Sequence, residues 1–129
     1  MAAVPAPSWA QAAGLPVRST AADAQWRGAG LPRISADGQR MTVRQTADRA
    51  TLEWQSFDIG RDHAVRFDQP SEAAIALNRV IGAGVDPSRI DGLLSGNGRV
   101  YLINQNGILF GPDAQVDVGG LVASSPDPQ

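Results

Sequence analysis

The segment 92–125 constrains the fold most, because it alternates short apolar runs with turns rich in asparagine and glycine. The apolar runs are 100–103, 108–110 and 116–118. Valine, isoleucine, tyrosine and phenylalanine favour strands, whereas asparagine and glycine accept the positive φ values of tight turns. The segment therefore predicts short strands of about three to five residues rather than helices.

The upstream half of the chain alternates apolar and polar residues with a period of two. Met41 and Val43 show this alternation, and so do Val65 and Phe67. After a turn at 46–49, residues 50–59 form a long candidate strand on which neither face is purely apolar. Such alternation is typical of strands with one buried face. We therefore expect strands in this half of the chain as well.

Composition excludes several classes of function. The 129 residues fit one small domain. The 11 basic residues are scattered among 13 acidic ones, and the net charge of −2 argues against nucleic-acid binding. With no cysteine and a single histidine, His63, the chain cannot build a His/Cys zinc site or a cysteine nucleophile. No apolar run approaches the ~20 residues of a membrane-spanning helix.

Two further sets of residues could in principle carry chemistry. Ser56, Asp58 and His63 could form a serine triad, but no nucleophile-elbow motif is present, which favours a surface-turn histidine. Two groups of acidic residues could bind a hard cation: Asp58, Asp62 and Asp68 in one group, and Asp113 and Asp117 in the other. No calcium-loop pattern surrounds either group, which favours an interpretation as solvated turns. We predict no catalytic, metal or cofactor site.

Four blocks of the sequence together resemble one known family. They are 54–60 (WQSFDIG), 65–70, 76–80 (ALNRV) and 98–125, and in this order they span about 39–125. The chain resembles the N-terminal domain of filamentous-haemagglutinin-type exoproteins of two-partner secretion (TPS), also called the haemagglutination activity domain. That family usually has Asn-Pro-Asn-Gly at its central turn, whereas this chain has Gln105 in the proline position. Losing proline removes a pre-set φ but restores a backbone N–H, so we expect the turn to persist with more freedom.

The resemblance implies an all-β fold: a right-handed parallel β-helix, single-stranded and pectin-lyase-like. In such a solenoid, successive coils stack in parallel and bury their inward-facing residues. We expect the N-terminal portion of this fold with a cap, truncated where family members continue. The residues alone also allow an antiparallel sandwich, because Asn97-Gly98 and Asn106-Gly107 are good hairpin turns.

Residues 71–81 are ambiguous between helix and strand. Ser71 and Glu72 after Pro70 resemble a helix start, and the alanine and leucine content suits a helix. However, Val80 and Ile81 are β-branched, and the counterpart in the resembled family is extended. We therefore predict a strand, followed by a turn at 82–87.

The domain organisation predicted from the sequence has four parts. Residues 1–12 are expected to be the remnant of a signal peptide, since Ala10 and Ala12 form an A-x-A pattern without a basic or apolar region before it. A disordered Ala/Pro tail is the alternative. Residues 13–38 are a loosely ordered lead-in or cap, 39–125 the TPS domain, and 126–129 a tail.

The function implied by the resemblance is recognition for secretion, without enzymatic activity. The partner would be an outer-membrane TPS transporter with periplasmic domains, reached through Sec and the periplasm of a Gram-negative bacterium. The domain would then nucleate a β-helix outside the cell. In full length, the protein would be a secreted or surface adhesin, haemagglutinin or growth-inhibition carrier that contacts a host or neighbouring cell. A carbohydrate- or cell-surface-binding module and a polysaccharide lyase are the alternatives.

Six residues are candidates for the recognition signal or for structural turns. The side-chain amides of the asparagines can bond backbone groups, stabilising turns and the stacking of coils. The arginine guanidinium can bind carbonyls or carboxylates. The resemblance implies that the central Asn/Gly turn and its surroundings also belong to the signal read by the transporter. The candidates are Asn78, Arg79, Asn104, Gln105, Asn106 and Gly107.

Overall fold

The computed structural model describes residues 14–81 and 86–124, and within these ranges all regular structure is β. The strands are β1 Val17–Arg18, β2 Trp26–Arg27, β3 Arg33–Ile34, β4 Arg40–Arg44, β5 Arg49–Ser56, β6 Ala64–Asp68, β7 Ile75–Val80, β8 Ser88–Ile90, β9 Leu93–Gly96, β10 Arg99–Asn104, β11 Ile108–Phe110, β12 Gln115–Asp117 and β13 Gly120–Ser124. In the described ranges, no helix could cross a membrane. The predicted signal remnant at 1–12, part of the predicted turn (82–85) and the tail at 126–129 lie outside them.

The strands wind into a β-helix of about three turns. One face contains β4, β6, β9 and β12 in parallel, and the second contains β5, β7, β10 and β13 in parallel. The third face contains β8 and β11, with a parallel bridge from Ile59 to Ile90. Leu52 pairs with Asn78 and Asn78 with Leu102, a step of about 25 residues, which is typical of solenoids.

Parallel pairing settles the choice between the two architectures. β10 lies between β7 and β13 and is parallel to both. Asn97-Gly98 and Asn106-Gly107 therefore join successive faces of a coil instead of closing hairpins. The antiparallel sandwich is wrong, and the β-helix implied by the resemblance is confirmed.

The core consists of rows of inward-facing side chains that stack from coil to coil. Alternation along each strand places every second residue inside, and paired residues in neighbouring coils touch. Every member of the rows described here is less than one-tenth exposed. The rows are Ala50, Ala76 and Val100; Leu52, Asn78 and Leu102; Trp54, Val80 and Asn104; Met41, Val65 and Leu94; and Val43 and Phe67.

The N-terminal end of the stack is covered. β1 and β2 pair antiparallel with β5, and β3 pairs antiparallel with β4. Trp26 packs edge-on against Trp54 at a ring-centroid distance of 5.0 Å, and Trp54 contacts Phe57 in the same way at 5.3 Å. Leu15 is also buried. Residues 14–38 thus supply three short strands and apolar cover for the first coil.

The opposite end leaves inward-facing residues exposed. Phe110 pairs with the buried Ile90, and Val116 pairs with the buried Leu94. Phe110 and Val116 therefore occupy core positions in the last coil, yet Phe110 is 45% exposed and Val116 is 39% exposed. Within the described residues, no further coil lies over them.

Most predicted strands are present with small changes at their ends. β10, β11 and β12 confirm the runs at 100–103, 108–110 and 116–118 to within a few residues. For the ambiguous segment, the strand is confirmed over Ile75–Val80, but residues 71–74 form a turn closed by the Ala74 N–H donating to the Ser71 carbonyl. Pro70 and the two polar residues after it favour that turn.

Candidate functional site

The corner between β10 and β11, residues 104–107, is organised by the buried side chain of Asn104. Its Oδ1 accepts the backbone N–H of Asn106 at 2.9 Å. Its Nδ2 donates to the Asp86 carbonyl at 2.9 Å and to the Ser88 hydroxyl at 3.0 Å. The Gly107 N–H donates to the Asn104 carbonyl at 2.9 Å. Asn104 therefore closes its own corner and ties it to the preceding coil.

Gly107 ends this corner with a left-handed backbone. Its φ is +108°, and a Cβ built there would meet no atom within 4 Å, so conformation rather than space requires glycine. Its carbonyl accepts the Ser88 N–H at 3.0 Å. Gln105 and Asn106 lie at the exposed tip of the corner. The turn expected to persist without proline is present.

Asn78 lies inside the solenoid and is fully buried. Its Oδ1 accepts the indole N–H of Trp54 at 2.9 Å, and its Nδ2 donates to the Tyr101 carbonyl at 3.2 Å and the Ala76 carbonyl at 3.3 Å. These partners lie in its own coil and in both neighbouring coils. The Asn78 amide therefore hydrogen-bonds to groups in three successive coils.

Arg79 faces outward on the same strand and joins the second coil to the cap. Its Nη1 lies 3.5 Å from Oε2 of Glu53, whose side chain is largely buried. The other carboxylate oxygen of Glu53 accepts the Gln25 N–H at 2.7 Å. The cap, the first coil and the second coil are thus connected through the carboxylate of Glu53.

The six candidates lie at the carboxyl ends of the neighbouring strands β7 and β10, since Asn104 pairs with Val80. They do not share one surface. Asn78 and Asn104 are buried, whereas Arg79, Gln105 and Asn106 are exposed. Only the exposed members and the backbone of the corner can be contacted by a partner once the coils have formed.

Sequence reasoning missed a second group of polar residues, at the corner between the first two faces. Gln69 is buried, and its Nε2 donates to Oε1 of Gln45 at 3.1 Å and to the Arg99 carbonyl at 3.0 Å, while its Oε1 accepts the Gly98 N–H at 2.7 Å. The Nε2 of Gln45 donates to the Ile75 carbonyl at 3.0 Å. Each glutamine directly follows a strand of the first face, and this repeated position is the signal that could have identified them.

The residues weighed for catalysis have structural contacts. Oδ1 of Asp58 accepts the Arg89 N–H at 2.8 Å. His63 closes a turn by donating its backbone N–H to Gly60, and its ring packs closely against Gly60 and Gly14. Among the described residues, no group of three potential ligands that could hold a metal ion is present.

Comparison with known proteins identifies the family. The model of the TPS secretion domain family matches residues 18–129 and so includes every coil of the solenoid. The chain belongs to the TPS secretion domain family. The TPS domain is thus the secretion domain of a two-partner secretion exoprotein, a class of protein secreted through the outer membrane, and its family is non-enzymatic.

Similar proteins come from Haemophilus influenzae. Two are named heme/hemopexin-binding protein: one is 47% identical over 97 residues, covering 75% of this chain, and the other is 40% identical over 98 residues, covering 76%. The matched segment is 10% and 11% of their respective lengths. The crystal structure of the HMW1 secretion domain is similar with a TM-score of 0.67 and 32% identity, covering 81% of this chain and 28% of that one.

Proposed function

We propose that this TPS domain is recognised by the periplasmic domains of an outer-membrane transporter and then nucleates β-helix folding outside the cell. The observation that carries the proposal is the family match over the whole coil stack. The route to the transporter is Sec export followed by passage through the periplasm. The partner, the route and the residues of the signal all belong to this proposal.

Recognition would involve the chain in an extended form. An extended segment can add to the edge of a partner sheet, where main-chain hydrogen bonds provide affinity and alternate side chains provide specificity. β7 and β10 are suited to this, since each has six residues with strict alternation. The exposed tip of the 104–107 corner, Gln105 and Asn106, follows directly after β10 and would be read with it.

Nucleation would follow from the covered first coil. The cap strands close one edge of β5 and of β4, so the opposite edges of the first coil are templates for the second coil. Coils contact only their neighbours, and stability therefore accumulates coil by coil. Folding on the outer side of the membrane would then oppose backward movement of the chain.

Secretion with a TPS transporter tests the proposal. The chain, carrying a Sec signal, is co-expressed with the transporter and measured in the medium. We expect secretion only when the transporter is present.

Gln105→Ala with Asn106→Ala should reduce the amount of secreted chain about tenfold. The circular dichroism of the purified chain should be unchanged, since Asn104 retains its hydrogen bonds. The matched control, Glu72→Ala with Gln115→Ala, changes two exposed residues in other parts of the solenoid and should be secreted normally.

Two outcomes would contradict different parts of the proposal. Normal secretion of the Gln105 and Asn106 variant would remove the corner tip from recognition. Secretion that does not depend on any TPS transporter would overturn the transporter itself as the partner. The variant Asn104→Ala is less informative, because it also removes all three hydrogen bonds of the Asn104 side chain and lowers stability.

Haem or hemopexin binding is a second candidate, for the whole exoprotein. It is favoured by the names of the two curated relatives. Addition of hemin to this chain, followed through the Soret band, tests whether the TPS domain takes part. A shift that is lost in His63→Ala would assign haem binding to this domain, whereas an unchanged spectrum would leave it to other parts of such a protein.

A further inference from the structure

Four arginines on the outward side of the first face surround one threonine. Arg33 on β3 and Arg66 on β6 pair with Thr42 from either side, so their backbones are about 10 Å apart across β4. Arg40 and Arg44 lie two residues before and two residues after Thr42 on β4 itself. The residues between them on β4 are buried, so these positions point outward. We call the four arginines the arginine cluster.

The arginine cluster has unbalanced positive charge. All four side chains are exposed, and within the described residues none of them forms an ion pair. Arginines elsewhere in the solenoid do have a carboxylate partner, namely Arg61, Arg79 and Arg89. Asp68 pairs in register with Arg44, and Asp37 lies close enough to Arg40 to feel its charge. With four positive charges beside these two negative ones, the surface is basic, although the whole chain has a net charge of −2.

A groove lies beside the arginine cluster, between the cap loop at 30–32 and β4. Its volume is about 570 Å³, which is within the usual range for small-molecule sites. The loop is fixed to the edge of β4, because the Gly30 N–H donates to the Arg44 carbonyl at 2.9 Å and the Gly30 carbonyl accepts the Trp26 indole N–H at 3.1 Å. The cap therefore holds the groove in a preformed shape. The residues that line it include Leu31, Pro32, Arg33, Thr42, Arg44 and Thr46.

The lining of the groove favours a ligand that has both a phosphate and hydroxyl groups. A guanidinium binds phosphate through two parallel hydrogen bonds, and Arg33 and Arg44 line the same groove. The hydroxyls of Thr42 and Thr46 and the carboxylate of Asp68, which also lines the groove, can bond sugar hydroxyls. Among the described residues, no aromatic side chain lines it, so a nucleotide base has no ring to stack on. The chemistry therefore indicates a sugar phosphate rather than a nucleotide.

We propose that this groove is a binding site for a phosphorylated saccharide. Arg33 and Arg44 bind the phosphate, and the threonine hydroxyls and Asp68 bind the sugar hydroxyls. Leu31 and Pro32 pack against the C–H groups of the sugar ring. The other two arginines of the cluster lie outside the groove and add to the positive potential around it. The site needs only the folded solenoid and does not depend on the transporter. A glycolipid headgroup and a free sugar phosphate share this chemistry.

Calorimetric titration of the full chain with glucose phosphate tests the site, with unphosphorylated glucose as the comparison. Arg33→Gln with Arg44→Gln should weaken binding of glucose phosphate about tenfold at low salt, and by less at high salt. The matched control, Arg49→Gln with Arg99→Gln, removes the same charge from the second face and should change binding by less than about twofold. These two arginines are also exposed and form no ion pair within the described residues. Circular dichroism should be unchanged in both variants.

A lysine variant separates the geometry of the site from its charge. Arg33→Lys with Arg44→Lys keeps both positive charges but removes the two-pronged hydrogen bonding of the guanidinium groups. We expect binding of glucose phosphate to weaken about threefold, which is between the unaltered chain and the glutamine variant. Binding as tight as that of the unaltered chain would overturn the assignment of the phosphate to these two guanidinium groups.

Vesicles distinguish the two sources of the ligand. The chain is sedimented with phosphatidylcholine vesicles that contain or lack lipopolysaccharide, a phosphorylated glycolipid. Sedimentation with the lipopolysaccharide vesicles, lost in Arg33→Gln with Arg44→Gln, would assign a glycolipid headgroup. Binding of glucose phosphate without binding to vesicles would assign a free sugar phosphate.

Three results would overturn the site. They are equal losses in the two glutamine variants, equal binding of glucose and glucose phosphate, and no binding of the unaltered chain to any of these probes. None of them bears on recognition by the transporter, which is measured through secretion.

Discussion

The two ends of the solenoid have the same kind of inward-facing residues in different surroundings. At the N-terminal end, Trp54 is fully buried beneath Trp26 and the antiparallel cap strands. At the other end, Phe110 occupies an equivalent inward position but is 45% exposed. The difference comes from tertiary cover and not from residue type. Stability should therefore be concentrated in the first two coils, and the last strands should contribute little.

The largest expected effect compares these two aromatic residues. Trp54→Ala should lower the free energy of unfolding by about 3–5 kcal/mol, because it leaves a cavity beneath the cap and removes the indole partner of Asn78. Phe110→Ala should cost below about 1 kcal/mol, since its ring is already half in water. Urea unfolding followed by circular dichroism measures both. Similar losses at the two ends would contradict the concentration of stability at the capped end.

An intermediate effect is expected from Asn78, which lies between the two ends. Asn78→Ala should cost about 2–3 kcal/mol, because the Trp54 N–H and the Tyr101 carbonyl lose buried partners. Asn78→Leu should restore little of this, although Leu52 and Leu102 adjoin it in the same row. Amide exchange should quicken in both β5 and β10. If the Asn78→Leu variant is as stable as the unaltered chain, this row of core residues requires only side-chain volume at position 78 and not the hydrogen bonds of the amide.

The smallest expected effect is at Gly107, which is compared with Gly30 near the cap. Gly107→Ala should cost about 1 kcal/mol or slightly more, because alanine disfavours a positive φ. Gly30→Ala, between the cap strands β2 and β3, is the matched control: no positive φ is found there, and a Cβ would also meet no atom within 4 Å. Thermal unfolding should show little change for Gly30→Ala. An equal loss at both positions would mean that the positive φ of Gly107 is not what requires glycine there.

Much of the strand pattern could be predicted from the sequence, and the winding could not. Alternation at Val65 and Phe67 and the turns around 104–107 predict strands and corners, since both depend on local chemistry. The same turns suit a hairpin, so the parallel course of β10 came from the family resemblance. The strands that pair lie about 25 residues apart, so the local pattern of one strand does not show which strand is its partner.

The candidate site shows the same division. The asparagine amides could be predicted to bond backbone groups, and Asn104 does so at its own corner. The burial of these asparagines could not be predicted, because it depends on which alternate set of residues in β7 and β10 points into the solenoid. Glu53 illustrates the point: this carboxylate on an outward-facing position is largely buried, because the cap loop donates a backbone N–H to it. A contact 28 residues away decides its environment.

The antiparallel cap strands have a further consequence for how the structure can grow. They occupy the edges of β5 and β4 that a preceding parallel coil would need. Among the described strands, further parallel coils can therefore be added at the edges of β11, β12 and β13, and parallel lengthening has a single direction. A chain that emerges through a pore with this domain in front would coil in its order of arrival, and the first coil would set the register for all that follow.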